Sequence, residues 1–383
     1  MARISIFILT FGDGGVERML VNLARGLSTR GEGVDFIVKT GHAPYLDRLP
    51  SAVRLIEFGD CGKRERLRKL LDYLEENRPD VLISAKGKDD MIAMRAKGLT
   101  RVPTRFYLRP GTAVSERLRA RSANPIKRWL THRRMRWLYS RADGVIAVSE
   151  GVAEEIILAT GIDGAKVCVV RNPNITPEFY DLARAPLDHP WFAPGEDPVL
   201  LGIGGLRLQK DFPTLLRAFA LVNRQRPARL MILGQGHLRE SLLALARELG
   251  VAQRVSLPGF VDNPYAYLSR AALFVLSSLW EGSPNVLTES LALGTPVVAT
   301  DCRSGPREIT RQGLYGPLVP VGDVAALARE ILRILADPPD GEWLKEAVRD
   351  YTVERSTTAY LCAMGLERPK TTSESSSKET RHA

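Results

Sequence analysis

Cysteine is scarce in this sequence, with four residues in a chain of 383. Cys61, Cys168, Cys302 and Cys362 form no Cys-x-x-Cys pair, and none stands at metal-ligand spacing from a histidine. This pattern excludes a disulfide framework and predicts small buried thiols in a reducing compartment. We expect no metal site and no cofactor.

Long hydrophobic runs are also absent, since no stretch approaches the ~20 consecutive apolar residues of a membrane span. The apolar run at residues 4–9 is short and breaks at a glycine-rich segment, residues 12–15. It therefore predicts a first buried strand and not a signal peptide. We expect a cytoplasmic protein.

Acidic residues are nearly missing from one segment, residues 101–141. It carries twelve Lys and Arg against the single Glu116, whereas the whole chain has a formal net charge of +10. The segment alone accounts for +11, so the remainder is close to neutral. Any question of an anionic partner therefore concerns this segment.

Short, almost continuously apolar runs alternate with amphipathic helical patterns along the chain. Such runs are typical of parallel strands buried on both faces, and their alternation with helices predicts an α/β fold of doubly wound sheets. The runs fall into two series, residues 3–9, 35–40, 54–59, 80–85, 104–109, 144–149 and 166–172, then 199–205, 229–234, 254–259, 273–278, 296–301 and 315–320. Each series predicts one Rossmann-like domain.

The two series are separated by residues 172–198, a segment with six prolines and no sustained periodicity. The predicted organisation is an N-terminal Rossmann-like domain (1–172), a linker (173–198), a C-terminal Rossmann-like domain (199–340), C-terminal helices packing back on the N-terminal domain (341–366) and a disordered tail (367–383). Two such domains face each other across a cleft, and ligands bind at the carboxyl ends of their strands.

Glycine-rich loops follow two of the predicted strands. Gly14 and Gly15 stand before the first helix, where free N–H groups favour an anion. The loop matches neither the dinucleotide fingerprint nor a Walker loop, and a simple tight turn is the alternative. Another loop brings Gly205, Arg207 and Lys210 together, two cations that suit a pyrophosphate, the alternative being a solvated loop.

The stretch "EGSPNVLTE" places Glu281 before a helix start near Pro284, and Glu289 inside that helix. The helix start offers free amides at Gly282, Ser283, Asn285 and Val286. Nothing in the sequence predicts a raised pKa for either glutamate, so an acid–base couple is disfavoured. Two hydrogen-bond acceptors that grip hydroxyl groups are the better interpretation.

Several segments occur in an order that resembles glycosyltransferase family 4, from residue 1 to about residue 350. They are "GGVER", "GVIAVSEGV", "GLRLQKDF", "ILGQGHLRE", "LPGFVDN" and "EGSPNVLTESLALGTPVVATD". The resemblance implies a GT-B fold and a retaining, metal-independent hexosyltransferase. Its donor is a nucleotide-diphosphate sugar, with UDP favoured, and the departing phosphate helps to deprotonate the acceptor. The resemblance also implies that residues 199–340 form the nucleotide-sugar domain and residues 1–172 the acceptor-side domain.

By the same resemblance, Glu281 contacts hydroxyls of the donor sugar, Glu289 grips the ribose and Lys210 holds the diphosphate. Gly14 and Gly15 approach the phosphates or the acceptor. The remaining donor contacts fall on Gly205, Gly234, Phe260, Val261, Gly282, Ser283, Pro284, Asn285 and Val286.

Two positions depart from the family pattern. Gly205 stands where similar sequences have the phosphate-binding arginine, and Arg207 is expected to reach the same phosphate. Arg109 follows the fifth strand where the family often has a histidine. It can stabilise negative charge but cannot act as a base.

The basic segment contains a helix pattern that starts at Asn124 and Pro125. Ile126, Trp129, Leu130, Trp137 and Leu138 fall near one face of this helix, and the other positions are mostly cationic. Residues 117–141 therefore predict binding to an anionic membrane surface. Packing of the apolar face on the first sheet is the alternative, and nucleic acid is not expected.

The predicted function is transfer of a hexose to a hydroxyl of a lipid-linked or lipopolysaccharide-type glycan, at the inner face of the plasma membrane. Two alternatives stay open. One is a non-catalytic GT-B protein that binds a glycan or a partner, which the departures at Gly205 and Arg109 favour. The other is a sugar-nucleotide epimerase.

Overall fold

The structure is a computed structural model that describes residues 1–12, 14–43, 45–112 and 124–367. Within them, all thirteen apolar runs contain strands, and the strands form two fully parallel sheets. Most strands end one to three residues before the predicted runs do. The doubly wound α/β fold is thereby confirmed.

The first sheet has the spatial order β3-β2-β1-β4-β5-β6-β7, with Ile4 of β1 between Val34 of β2 and Val81 of β4. The order reverses between β1 and β4, which is where a doubly wound sheet opens a crevice. Its strands are β1 (Arg3–Phe7), β2 (Gly33–Val38), β3 (Val53–Glu57), β4 (Val81–Ser84), β5 (Arg105–Leu108), β6 (Gly144–Ala147) and β7 (Val167–Val169).

Five described helices cover the first sheet, and together they form the N-terminal domain. Each has an apolar stripe that packs on the strands, as Leu20, Leu23 and Leu27 do in the first helix. The helices are α1 (Gly15–Thr29), α2 (Lys63–Asn77), α3 (Gly87–Lys97), α4 (Pro125–Arg141) and α5 (Glu150–Thr160).

The second sheet has the order β10-β9-β8-β11-β12-β13 and is the centre of the C-terminal domain. Its strands are β8 (Val199–Ile203), β9 (Arg229–Leu233), β10 (Val255–Gly259), β11 (Leu273–Leu276), β12 (Val297–Thr300) and β13 (Leu318–Val319). Its helices are α6 (Phe179–Arg184), α7 (Phe212–Gln225), α8 (Arg239–Glu248), α9 (Pro264–Leu268), α10 (Asn285–Ala292), α11 (Pro306–Ile309) and α12 (Val324–Ala336).

The segment predicted as a linker is partly structured. Helix α6 lies within it and packs on the C-terminal domain, where the ring of Phe179 lies 4.7 Å from the ring of Tyr265. A helix of only six residues is too short to show an apolar periodicity in the sequence. Short 3₁₀ turns also occur here and elsewhere, at Leu46–Arg48, Gly164–Lys166, Pro190–Phe192, Leu208–Lys210, Ala252–Arg254 and Glu346–Tyr351.

Residues 341–366 were predicted to pack back on the N-terminal domain, but α13 (Gly341–Lys345) packs on the C-terminal domain, where Leu344 is part of the core. Only α14 (Val353–Ala363) returns to the N-terminal domain, where Tyr360 and Leu361 are buried. Helix α14 lies against α1 at Gly26, where a Cβ atom would come within 2.0 Å of Thr357 Oγ1. The returning chain passes beside the outgoing one, because the amides of Asn174 and Ile175 both donate to the carbonyl of Tyr351. The two chain crossings between the domains, one near Asn174 and the other near Tyr351, therefore lie side by side.

In the part of the chain that the structure describes, no helix is long and apolar enough to cross a membrane. None of the four cysteines, all of them in described residues, forms a disulfide. The tail predicted to be disordered lies, from residue 368 onward, outside the described residues. So do residues 117–123 of the basic segment.

Candidate active site

The carboxyl ends of the two sheets face each other, and the loops that leave them are in contact. Thr112, after β5, pairs with Gly282, after β11, in an isolated antiparallel bridge. A Cβ atom at Gly282 would lie 2.3 Å from the carbonyl oxygen of Gly111. Only glycine allows the two backbones this close approach.

Helix α10 begins at Asn285, next to the predicted start at Pro284, and points its first turn at the other domain. The side chain of Asn285 donates to the carbonyl of Gly15 over 2.8 Å and accepts from Asn172 over 2.7 Å. Gly14 precedes α1 as its N-cap residue. The glycine loop of the first domain and the "EGSPNVLTE" loop of the second are thus in one place.

Lys210 and Glu281 form a partly buried ion pair, with 2.6 Å between Lys210 Nζ and Glu281 Oε1. The hydroxyl of Ser278 donates to the same carboxylate oxygen over 2.7 Å. Gly204 has φ near +152°, and a Cβ atom there would lie 2.7 Å from Lys210 Cε. The Lys210 side chain therefore passes over Gly204 to reach Glu281, and a side chain at position 204 would clash with it.

Arg207 folds back over Gly205. A Cβ atom at position 205 would lie 2.6 Å from Arg207 Nε and 2.7 Å from Nη2. The guanidinium therefore occupies the space into which a side chain at 205 would extend. That Arg207 binds the phosphate in place of an arginine at 205 stays a prediction. Gly234 packs close by, because a Cβ atom at that position would meet the carbonyl of Gly204.

Glu289 is almost fully buried and pairs with Arg18 of the other domain, with 2.5 Å between Arg18 Nη2 and Glu289 Oε1. The Arg18 guanidinium also lies over the ring of Tyr265, 5.3 Å from its centre. Burial raises the pKa of the Glu289 carboxyl, and the charge and hydrogen bond of Arg18 oppose that rise. Arg18 thus favours the ionised form of Glu289.

Four polar atoms in and just before α10 are buried without a hydrogen-bond partner among the described residues: Trp280 Nε1, Ser283 Oγ, Thr288 Oγ1 and Glu289 Oε2. Buried polar atoms are normally satisfied, so unpaired ones call for a missing ligand or water. A hydroxyl-bearing ligand is the chemistry that a free carboxylate oxygen accepts from.

Arg109 is enclosed and does not open into the cleft. Its Nη2 donates to Asn172 over 2.5 Å and its Nε to the hydroxyl of Tyr360 over 3.3 Å. Its Nη1 is buried without a partner in the described structure and lies on the side of Gly111. Through Asn172 it is connected to Asn285, so its contact with the donor motif is indirect.

The remaining predicted contacts lie at the rim of the site. Phe260, in the loop after β10, is 38% exposed, and its neighbour Val261 is half-buried against the core of the C-terminal domain. Val286 is also half-buried in the first turn of α10. Phe260, Val261 and Val286 therefore contribute apolar surface and no charge to the site.

Sequence reasoning missed several cross-domain contacts. Glu308 of α11 accepts from the amides of Glu150 and Gly151, the first residues of α5, and pairs with Arg171 at 2.6 Å. Arg18 was inside the quoted "GGVER" segment, but its partner is 271 residues away. No local pattern could identify either contact.

Models of two known domain families match the chain. "Glycosyl transferase 4-like domain" matches residues 14–173, and "Glycosyl transferases group 1" matches residues 197–337. Together they span most of the chain and coincide with the two sheets. The chain belongs to the glycosyltransferases of the GT-B type, as the resemblance implied.

Two relatives match nearly the whole chain. One is an N-acetylgalactosamine-N,N'-diacetylbacillosaminyl-diphospho-undecaprenol 4-alpha-N-acetylgalactosaminyltransferase from Campylobacter jejuni, 28% identical over 88% of this chain and 91% of its own. The other is the lipopolysaccharide core biosynthesis glycosyltransferase LpsE from Rhizobium meliloti, 29% identical over 91% and 95%. Among solved structures, Anabaena HepE in complex with UDP and glucose superposes with a TM-score of 0.71, at 17% identity over 96% and 97% of the two chains.

Proposed function

We propose that this glycosyltransferase moves a hexose from a UDP-sugar to a hydroxyl of a lipid-linked or lipopolysaccharide-type glycan, with retention of anomeric configuration. The observation that carries the donor side is the ion pair of Lys210, which follows β8, with Glu281, which follows β11, next to the buried unpaired atoms of Ser283 and Glu289. The named relatives act on lipid-linked and lipopolysaccharide glycans, which supports the acceptor class.

In this proposal, Lys210 and Arg207 hold the diphosphate, and the amides at the start of α10 add partial positive charge. Glu281 accepts from hydroxyls of the hexose, and Glu289 accepts from the ribose through Oε2. The cations stabilise the negative charge that develops on the leaving group, so we propose that no metal is required.

The transfer itself is proposed to occur on one face of the sugar. The bond from the anomeric carbon to the β-phosphate oxygen breaks while a bond to the acceptor oxygen forms, and the acceptor proton passes to the departing phosphate. The products are the glycosylated acceptor and the nucleoside diphosphate. No protein nucleophile takes part. We place this reaction in the cytoplasm, at the inner face of the plasma membrane.

The donor assignment is tested by calorimetry with UDP, GDP and ADP, followed by the corresponding hexose conjugates. Lys210→Met is expected to weaken UDP binding by about tenfold or more, because a charge-assisted contact to phosphate contributes roughly 1.5–3 kcal/mol. UMP should respond much less, since it lacks the second phosphate. Lys345→Met is the matched control, because Lys345 pairs with the exposed Glu342 on the same domain. Failure of all three nucleotides to bind would overturn the proposal.

The chemistry is tested with the UDP-hexose that binds best. Slow release of UDP and free hexose in the absence of acceptor would rule out a purely binding protein. Appearance of a second UDP-hexose without any acceptor would identify an epimerase instead. Nuclear magnetic resonance of the transferred sugar, in an α or β linkage, decides whether the configuration is retained.

A further inference from the structure

Helix α4 packs against the N-terminal domain mainly through its second half. Met135, Leu138 and Tyr139 in its second half are buried on the first sheet. In its first half Ile126 is 67% exposed, Trp129 58% and Leu130 53%. At about 100° per residue, Met135 and Tyr139 lie opposite Ile126 and Leu130 around the helix. The helix is therefore buried on a different side from the predicted apolar face, of whose five residues only Leu138 is buried.

The exposed apolar side chains lie on one helical turn and are surrounded by cations. The helix contains six Lys and Arg and no Asp or Glu. The Arg133 guanidinium lies 5.5 Å from the centre of the Trp129 ring, and that of Arg141 lies 4.6 Å from the Trp137 ring. We call Ile126, Trp129 and Leu130, with Lys127, Arg133, Arg134 and Arg136, the basic apolar turn.

The basic apolar turn lies on the same side of the N-terminal domain as the site. Strands β5 and β6 are parallel neighbours, so the helix between them must run back against the strands, with its first residues at their carboxyl ends. Arg134 confirms this direction, since it donates to the carbonyl of Gly87, just after β4.

A shallow cavity of about 280 Å³ opens on the same surface. Met91, Leu130 and Trp137 contribute apolar walls, and Arg133 and Arg134 stand at its border. This combination of apolar surface with adjacent guanidinium groups complements a phosphate-bearing lipid headgroup and the first part of its chain.

We propose that the basic apolar turn docks on an anionic phospholipid bilayer. Ile126, Trp129 and Leu130 enter the headgroup region, and the surrounding cations pair with lipid phosphates. The charge decides this choice of partner, because a surface with four cations, on a helix that carries no carboxylate, is complementary to an anionic layer. The binding is a separate property from glycosyl transfer, although the position at the carboxyl ends of the strands suits a lipid-linked acceptor.

The test is sedimentation of the full chain with vesicles of phosphatidylcholine and phosphatidylglycerol in equal parts, against pure phosphatidylcholine. We expect binding to the anionic vesicles that decreases with added salt. The double variant Trp129→Ala, Leu130→Ser should bind about tenfold more weakly. Arg133→Glu, Arg136→Glu should lose more, since each cation near the surface is worth about fivefold.

Two controls match these variants. Leu158→Ser removes an apolar side chain that is 76% exposed on another helix of the same domain, and Arg224→Glu, Arg247→Glu reverses two exposed charges on the other domain. Both should bind vesicles like the wild type. UDP calorimetry on all variants separates this proposal from the proposed function, because loss of vesicle binding with unchanged UDP binding supports the docking surface alone.

Three results would overturn the proposal. One is equal binding to pure phosphatidylcholine. Another is undiminished vesicle binding by both double variants of the basic apolar turn. The third is release of the protein from anionic vesicles by a short duplex DNA at low salt, when Trp129→Ala, Leu130→Ser weakens neither vesicle binding nor DNA binding. This result would assign the surface to nucleic acid.

Discussion

Arg18 offers the sharpest test of the proposed donor site, to which both domains contribute. It comes from the N-terminal domain, yet it is the hydrogen-bond partner of the buried Glu289 carboxylate in the C-terminal domain. Burial alone raises the pKa of Glu289, and Arg18 opposes that rise. In Arg18→Met both the charge and the hydrogen bond are lost, so the pKa of Glu289 should rise further.

The size of the effect follows from the change at Glu289 Oε2. A hydrogen bond to a charged group contributes about 1.5–3 kcal/mol, and one between neutral groups about 0.5–1.5 kcal/mol. Protonation of the carboxyl therefore costs the ribose contact roughly 1 to 1.5 kcal/mol, or about five- to tenfold in the dissociation constant of UDP. Because an acid with a raised pKa ionises again at higher pH, the loss should be greatest at the acidic end of the pH range in which the protein stays folded and should shrink as the pH rises.

The assay is UDP calorimetry on the wild type and Arg18→Met across that pH range, with circular dichroism to confirm folding. Arg18→Lys keeps the charge and should show a smaller loss. Arg25→Met on the same helix is the control, because its partner Glu178 is 54% exposed and such pairs contribute little. An equal loss at every pH would refute the protonation argument. Tighter binding by Arg18→Met would show that Arg18 competes with the ribose.

Three further results are expected. Burial raises the pKa of Asp90 from its usual 3.8 to about 7, so the folded state holds an extra proton between these two pH values. The free energy of unfolding should therefore fall by up to about 4 kcal/mol as the pH rises through this range. Asp90→Asn should flatten this dependence in urea titrations at several pH values. Gly282→Ala should weaken UDP binding at least about fivefold in calorimetry, since its Cβ would clash with the Gly111 carbonyl at a cost of roughly 1–3 kcal/mol, whereas an unchanged dissociation constant would mean that this close approach is not needed for binding. Glu308→Gln removes a charge that holds Arg171 and the start of α5, worth roughly 1–3 kcal/mol, and should increase the radius of gyration measured by small-angle scattering; an unchanged radius would contradict this.

The sequence was sufficient for the strands because a parallel strand buried on both faces needs a continuous apolar run, which is a local signal. Several strands are nevertheless shorter than their runs. Ile8 and Leu9 are as buried as β1 itself, but the amide of Leu9 donates to the Asp89 side chain instead of a neighbouring strand. Burial was predicted correctly there, and backbone pairing was not.

The contacts that bring the site residues together could not be predicted from local sequence patterns. The motif around Glu281 and Glu289 identified one wall of the cleft, but the partner of each carboxylate depends on how the chain is arranged in space. Lys210 and Arg18 could be paired with these glutamates only after the loops were placed. The helical wheel of α4 failed for a related reason, since it shows which residues share a side of the helix but not which side the rest of the domain covers.

The two chain crossings between the domains limit how the cleft can open. Asn174 and Ile175 on one crossing are hydrogen-bonded to Tyr351 on the other, and the amide of Val353 donates back to Ile175. Two covalent connections clasped at one place act as a single hinge, so rotation about an axis through them is the motion that breaks the fewest bonds. A rotation about this hinge would separate Arg18 from Glu289 and Arg171 from Glu308 at the same time.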